Sequence, residues 1–139
     1  MNEFGKTRDW QQPSAPGTRT RREVLGQAHV ERANAAMTEF DEPFQEYITH
    51  AAWDAVWSRP HLSRREKSML TIAVLAALGH DEELAMHVRA TANTGASAQD
   101  IAETLLQVAV YAGVPAANRA FRIAKNELAK LENEEEHRS

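Results

Sequence analysis

The 139-residue sequence contains no cysteine. That absence excludes disulfides, zinc–thiolate sites, thiol nucleophiles and redox dithiols together. Long apolar runs are missing too: the longest, Met69 to Leu78, covers about ten residues against the roughly twenty needed to cross a bilayer. The N-terminus has no apolar signal core. The expectation is a soluble, cytoplasmic protein with no membrane partner. No block of Lys and Arg stands out beyond Arg19, Arg21 and Arg22, and the formal net charge is -4. Nucleic-acid binding needs a basic face, so nucleic acid is not an expected partner. No segment sustains period-two alternation and no Asn-Gly or Asp-Gly pair occurs, so strands and hairpins are not expected either.

What is present is helical. With 42% hydrophobic residues the chain can bury the core of one ordinary domain. Residues 1–19 mix Gly, Pro, Ser and charge without periodicity and read as a flexible arm in which Trp10 is partly exposed. Thr20 and Glu23 have capping-box spacing ahead of a helical pattern to about Met37. Asp41-Glu42-Pro43 starts a second helix, whose apolar stripe reaches Trp53 and Trp57 before Pro60 stops it. Ser97 and Asp100 cap a helix ending near Gly113, and Pro115 opens a last helix striped by Ala116, Ala120, Phe121, Ala124, Leu128 and Leu131. Residues 132–139 read as a polar, frayed tail. The class is all-α, a single bundle of about six helices spanning residues 20–131.

The stretch from Leu62 to Gly95 joins the most apolar segment to the densest group of ionisable side chains. Ser63 and Glu66 form a capping box for a helix that is apolar nearly all round from Met69 to Leu78. One small bundle cannot cover such a helix on every side, so association of subunits is expected. Gly79 suits a left-handed stop. Asp81 is placed to cap the next helix, with Glu82 and Glu83 in its first turn where the dipole favours negative charge, and Gly95 closes it.

On that helix His80, Glu83 and His87 are spaced three and four apart, with Arg89 beyond. A solvated polar face is one reading. A metal site is another, but it needs His80 to be helical, and Asp81 as cap would put His80 outside; no metal is expected. The third is acid–base work, a carboxylate beside His87 raising its pKa while burial lowers it. Arg22, Arg64, Arg65 and Lys67 are exposed cations or, in the case of Arg, planar forks for a small dianion. Tyr111, before Gly113-Val114-Pro115, is read as core.

Taken together, Arg22-Glu23-Val24-Leu25-Gly26, WDAVWSRP over 53–60, REKSMLTIAVLAALGHDEELAMHVRATANTGA and YAGVPAANRAF resemble the carboxymuconolactone decarboxylase family, in its gamma-carboxymuconolactone decarboxylase branch. The resemblance covers about residues 20–130. It implies an alkylhydroperoxidase-like helical subunit in a ring-like homohexamer or a trimer, and a cofactor-free enzyme of the protocatechuate branch of the beta-ketoadipate pathway. That enzyme releases carbon dioxide from gamma-carboxymuconolactone, a small dicarboxylate lactone, to give beta-ketoadipate enol-lactone. The family's other branch carries Cys-x-x-Cys-x-x-x-His where this chain has His80, Glu83 and His87. Without thiols, peroxide reduction by that route is excluded.

Position and chemical type then suggest roles. His87 is the expected proton donor, Glu83 or Glu82 orients it, and His80 or Arg89 helps the oxyanion, with Arg65 and Arg22 as candidates for the substrate carboxylates. A non-catalytic helical oligomer that binds a small carboxylate, and a related enzyme acting on another lactone, are the alternatives left open.

Overall fold

A computed structural model describes residues 9–138. Within them the chain is helical, with no strand and with no helix long and apolar enough to cross a membrane. It divides into two compact units at Leu62/Ser63.

In the first unit, α1 (Ala15–Leu25) and α2 (Gln27–Ala36) meet at Gly26, and α3 (Glu42–Ile48) runs on into a π-helical segment, Thr49–Trp57. The helix expected over 20–37 is thus two helices. Gly26 has φ 91°, a conformation that L side chains rarely adopt, and it breaks the winding. The first helix begins at Ala15, five residues before the expected Thr20 cap, because Ser14 Oγ accepts from Gly17 N–H at 3.0 Å and Pro16 sits in the first turn. Thr20 is buried inside α1. The residues just before α1 are held as well: His50 Nε2 lies 2.8 Å from the Gln12 carbonyl, and the Trp10 ring tilts over the His50 ring at 4.9 Å. Residues 1–8 of the expected arm lie outside the described residues.

α1 packs on the π segment at very short range. A Cβ at Gly17 would stand 2.3 Å from the Thr49 carbonyl oxygen, so only glycine allows this approach. Trp53 and Trp57 are both buried, their ring centroids 5.4 Å apart. Trp10 is 52% exposed, as expected, although it also stacks on Tyr47.

The second unit is a four-helix bundle of α4 (Arg64–Leu78), α5 (Asp81–Thr94), α6 (Ala98–Tyr111) and α7 (Val114–Glu136). Both expected capping boxes form, Ser63 with Glu66 and Ser97 with Asp100. Gly79 (φ 74°) and Gly95 (φ 88°) make left-handed stops, and the short loops reverse the chain so that successive helices run antiparallel. Around the bundle the order is α4, α5, α7, α6, so that α4 runs parallel to α6 and α5 parallel to α7. Ile72, Leu84, Val88, Ile101 and Leu105 form the core. Ala117, Ala120 and Ala124 give α7 the narrow face that lets neighbouring axes come close. α7 continues to Glu136 rather than fraying from Glu132, because Glu134 is tied to Arg89 at 2.7 Å.

Leu70, Val74 and Leu78 lie four apart on α4 and are each more than half exposed. The apolar helix therefore does present a face that its own bundle leaves bare. Tyr111 is 82% exposed, not core as expected: it ends α6, where the chain turns outward into α7.

Candidate active site

His87 is carried on the buried side of α5, between Leu84, Val88 and Thr91 in the helical pattern, with its Nδ1 sealed from solvent. Buried Leu84 at i−3 and Val88 at i+1 hold that face inward, and His87 and Thr91 are drawn in with them. Glu83 lies one turn earlier, about 6 Å along the axis, and is exposed together with Glu82 and His80. The first turn of α5 thus sets three exposed ionisable groups next to one buried imidazole. Carboxylates there also complement the helix dipole.

His80 takes the N-cap position with φ -85° and ψ 80°, outside helical geometry. The His-x-x-Glu-x-x-x-His spacing therefore does not put three ligands on one helical face, and among the described residues no group of three His, Asp or Glu side chains is arranged to hold a metal ion. Asp81 is the first helical residue rather than the cap. Its carboxylate accepts from Arg119 Nε on α7 at 2.7 Å, and that hydrogen bond holds its carboxyl below the usual range. Arg122 adds to the same effect.

The arginines divide sharply. Arg65 forms a two-point pair with Asp100, Nε to Oδ2 at 2.8 Å and Nη2 to Oδ1 at 2.6 Å, which joins the starts of α4 and α6. Since α4 is antiparallel to α5 and about 20 Å long, Arg65 stands at the opposite end of the bundle from His80. Arg89 pairs with Glu134 at 2.7 Å and with the buried Glu127 at 3.5 Å, and those two carboxylates raise its pKa. Glu127 is also reached by Lys130 at 3.1 Å, so its burial is compensated. Arg22 is exposed near the end of α1, in the first unit. The second unit therefore carries His80, Glu82, Glu83 and His87 along the first half of α5 and its cap, with His87 buried and the other three exposed, and it does not bring Arg65 to that end. At the His80 end, Arg119 and Arg122 both act on Asp81. Sequence reasoning missed both, although Arg119 lay within the quoted YAGVPAANRAF.

The Asp100 pairing has a pH consequence. Arg65 and the Ser97 amide both donate to Asp100 and hold its carboxyl far below the usual carboxylate range. A depressed carboxyl stabilises the fold above its unfolded pKa, near 4, and this contribution fades as pH falls toward the folded value. Asp100→Asn is therefore expected to melt below the parent at pH 7, with the gap closing as pH drops below about 4. Thermal melts followed by circular dichroism at pH 7, 4 and 2.5 test it; a gap constant with pH would refute the ion pair's role.

Comparison with known proteins bears on the chemistry. The Carboxymuconolactone decarboxylase family pattern matches residues 42–126, which takes in the π segment, all of α4 to α6 and the first half of α7. The chain belongs to this family. It is 45% identical over 109 residues to the 4-carboxymuconolactone decarboxylase of Acinetobacter baylyi, covering 78% of this chain and 81% of that one. It is also 34% identical over 122 residues to the nitrosuccinic acid decarboxylase of Metarhizium robertsii, covering 88% of this chain and 85% of the relative. The third relative, an uncharacterized 15.0 kDa protein of Paracoccus denitrificans, is 28% identical over 119 residues, 78% of this chain and 89% of that protein. Two of these three family relatives are thus named as decarboxylases of small acids, and the buried imidazole of this chain lies inside the matched region.

Proposed function

We propose that the chain is a carboxy-lyase, a 4-carboxymuconolactone decarboxylase, which converts gamma-carboxymuconolactone to beta-ketoadipate enol-lactone and carbon dioxide in protocatechuate catabolism. The observation that carries this reading is the 45% identity to a decarboxylase of that name across 81% of its length. Residues 20–131 form the decarboxylase domain in this reading.

The chemistry asks for nothing beyond side chains. Loss of carbon dioxide leaves an electron pair that delocalises through the ring double bond onto the lactone carbonyl, so the substrate is its own electron sink and no cofactor is called for. The protein must hold two carboxylates, keep water from the departing one, stabilise the dienolate oxygen and return a proton to carbon. His87 returns that proton. Its burial keeps bulk water from competing, and Glu83 orients it from one turn away. His80 stabilises the developing oxyanion. The substrate carboxylates engage Arg122, the cation beside the Asp81–Arg119 pair. Arg65, Arg89 and Arg119 already have carboxylate partners, and a substrate would have to break those pairs to use them.

The subunit works as a homo-oligomer, a hexamer in this reading. The bare stripe of Leu70, Val74 and Leu78 supports association, since a contiguous apolar face on a small bundle marks an interaction surface. The nitrosuccinic acid decarboxylase relative favours a second reading, in which the same groups decarboxylate another small acid. One preparation tests all of this. Its mass by light scattering should be a multiple of 15.5 kDa, and the lactone's ultraviolet absorbance should fall with carbon dioxide release. Turnover of nitrosuccinate alone would transfer the reading to that acid. No turnover of either by a folded oligomer would leave a binding protein, and a monomer would refute the assembly.

A further inference from the structure

The hairpin of α6 and α7 carries a bare, uncharged face that neither the bundle core nor the proposed chemistry uses. From Thr104 to Phe121 the one charged residue is Arg119, and it is turned toward Asp81 on α5. Val110, Tyr111 and Val114 are each more than two-thirds exposed, and Leu106 and Phe121 more than a third. Helical winding gathers these side chains. On α7 the ties of Arg119 to Asp81 and of Glu127 to Arg89 mark the flank beside α5, and Ala117, Ala120 and Ala124 mark the core. Val114 and Phe121, two turns apart, fall on the other flank, beside α6. On α6, Leu106 and Val110 are one turn apart and lie across the helix from buried Thr104 and Val108. The helices run antiparallel from Gly113, so Leu106 comes level with Phe121 while Val110 and Val114 close the strip at the turn. One turn farther from the tip stand two exposed charges of opposite sign, Glu103 on α6 and Lys125 on α7.

We infer that a second copy of the chain docks on this face, hairpin against hairpin, about a two-fold axis parallel to the helices. The inference deepens the homo-oligomer reading above and rests on it. Area, composition and charge each favour a copy. The five apolar side chains bare roughly 650 Å², beyond the ~300–600 Å² of an ordinary monomer's largest patch and near the ~800 Å² that one partner gives a standard interface. An uncharged strip matches itself, as a two-fold contact requires. With this axis α6 lies opposite the second copy's α7, so Glu103 meets the second copy's Lys125 and the pair occurs twice. An axis across the helices would oppose α6 to α6 and leave both charges unmatched. The contact leaves the Leu70, Val74 and Leu78 stripe of α4 for growth beyond a dimer.

The lack of cysteine makes the test direct, because a single introduced thiol has no competitor. Leu106→Cys and Phe121→Cys chains with tags of different size are co-expressed, oxidised and separated without reductant. The mixed pair should exceed either self-pair by about five-fold or more. By light scattering, Val110→Glu should have half the parent's mass or less with an unchanged helical signal, since Val110 is exposed and its replacement is a good helix former. Glu103→Lys should weaken the assembly, and adding Lys125→Glu should restore it. A monomeric parent overturns this contact and the association reading together. A multimeric parent whose mass survives Val110→Glu keeps that reading, overturns the hairpin contact and assigns the face to a different partner. Absence of the mixed pair from such a multimer, or a predominance of Leu106→Cys self-pairs, overturns the two-fold geometry.

Discussion

A His87→Gln enzyme is expected to lose roughly 10²–10⁴-fold in kcat on the lactone, the range typical of removing a positioned general acid. Glutamine keeps the polarity and much of the volume at a position that is only 7% exposed, so the helical signal and the melting behaviour should stay near the parent's. Proton return concerns the reacting carbon and not the carboxylates, so KM should change little while kcat falls. If the folded variant turns over at the parental rate, His87 is not the donor and the reading of α5 must move to His80. Glu83→Gln provides the companion measurement. It should lower kcat less and shift the pH profile, because it acts through the imidazole.

Gly17→Ala is expected to destabilise the protein by about 1–3 kcal/mol. The sign is decided by comparing two effects. Alanine in place of glycine inside a helix ordinarily gains roughly 0.5–1 kcal/mol. Here the added methyl would stand 2.3 Å from the Thr49 carbonyl oxygen and 3.0 Å from both Ser14 Oγ and Thr49 Cγ2. The nearest obstacle is backbone and cannot swing aside, so α1 must lift from the π segment and loosen the Ser14 cap with it. Thermal unfolding should show a melting point lower by several degrees, with weakened near-ultraviolet dichroism from Trp53 and Trp57. An alanine variant as stable as the parent would show that the approach of α1 to Thr49 is not as close as described.

Much of the second unit was legible because its signals are local. Ser63 with Glu66 and Ser97 with Asp100 lie three apart, and Gly79 and Gly95 mark stops by their own backbone preference, so helices α4 and α5 fall where the sequence puts them. The first unit was read less well. Ser14-Ala15-Pro16 starts a helix inside a segment rich in turn formers, and Gly26 breaks an otherwise helical pattern through its own backbone angle. The π winding from Thr49 has no signature in apolar spacing. The candidate site was half legible. His80, Glu82, Glu83 and His87 share one short segment, so their grouping follows from helix geometry alone. What each arginine does depends on partners 35 to 45 residues away, Asp100 for Arg65 and Glu134 for Arg89, and no local pattern reveals such pairings.

Two ties between α5 and α7 follow a common count. Asp81 meets Arg119, and Arg89 meets Glu127, each at a separation of 38 residues along two parallel helices. The two ties are eight residues apart on α5 and His87 lies between them. A slip of α7 by one turn, about 5.4 Å, would break both at once, so the pair works as a vernier that fixes the height of the imidazole. Arginine variants in this family member should therefore be judged by where they move His87. On the proposed mechanism, a fall in turnover after losing Arg89 is then expected to come from a displaced imidazole.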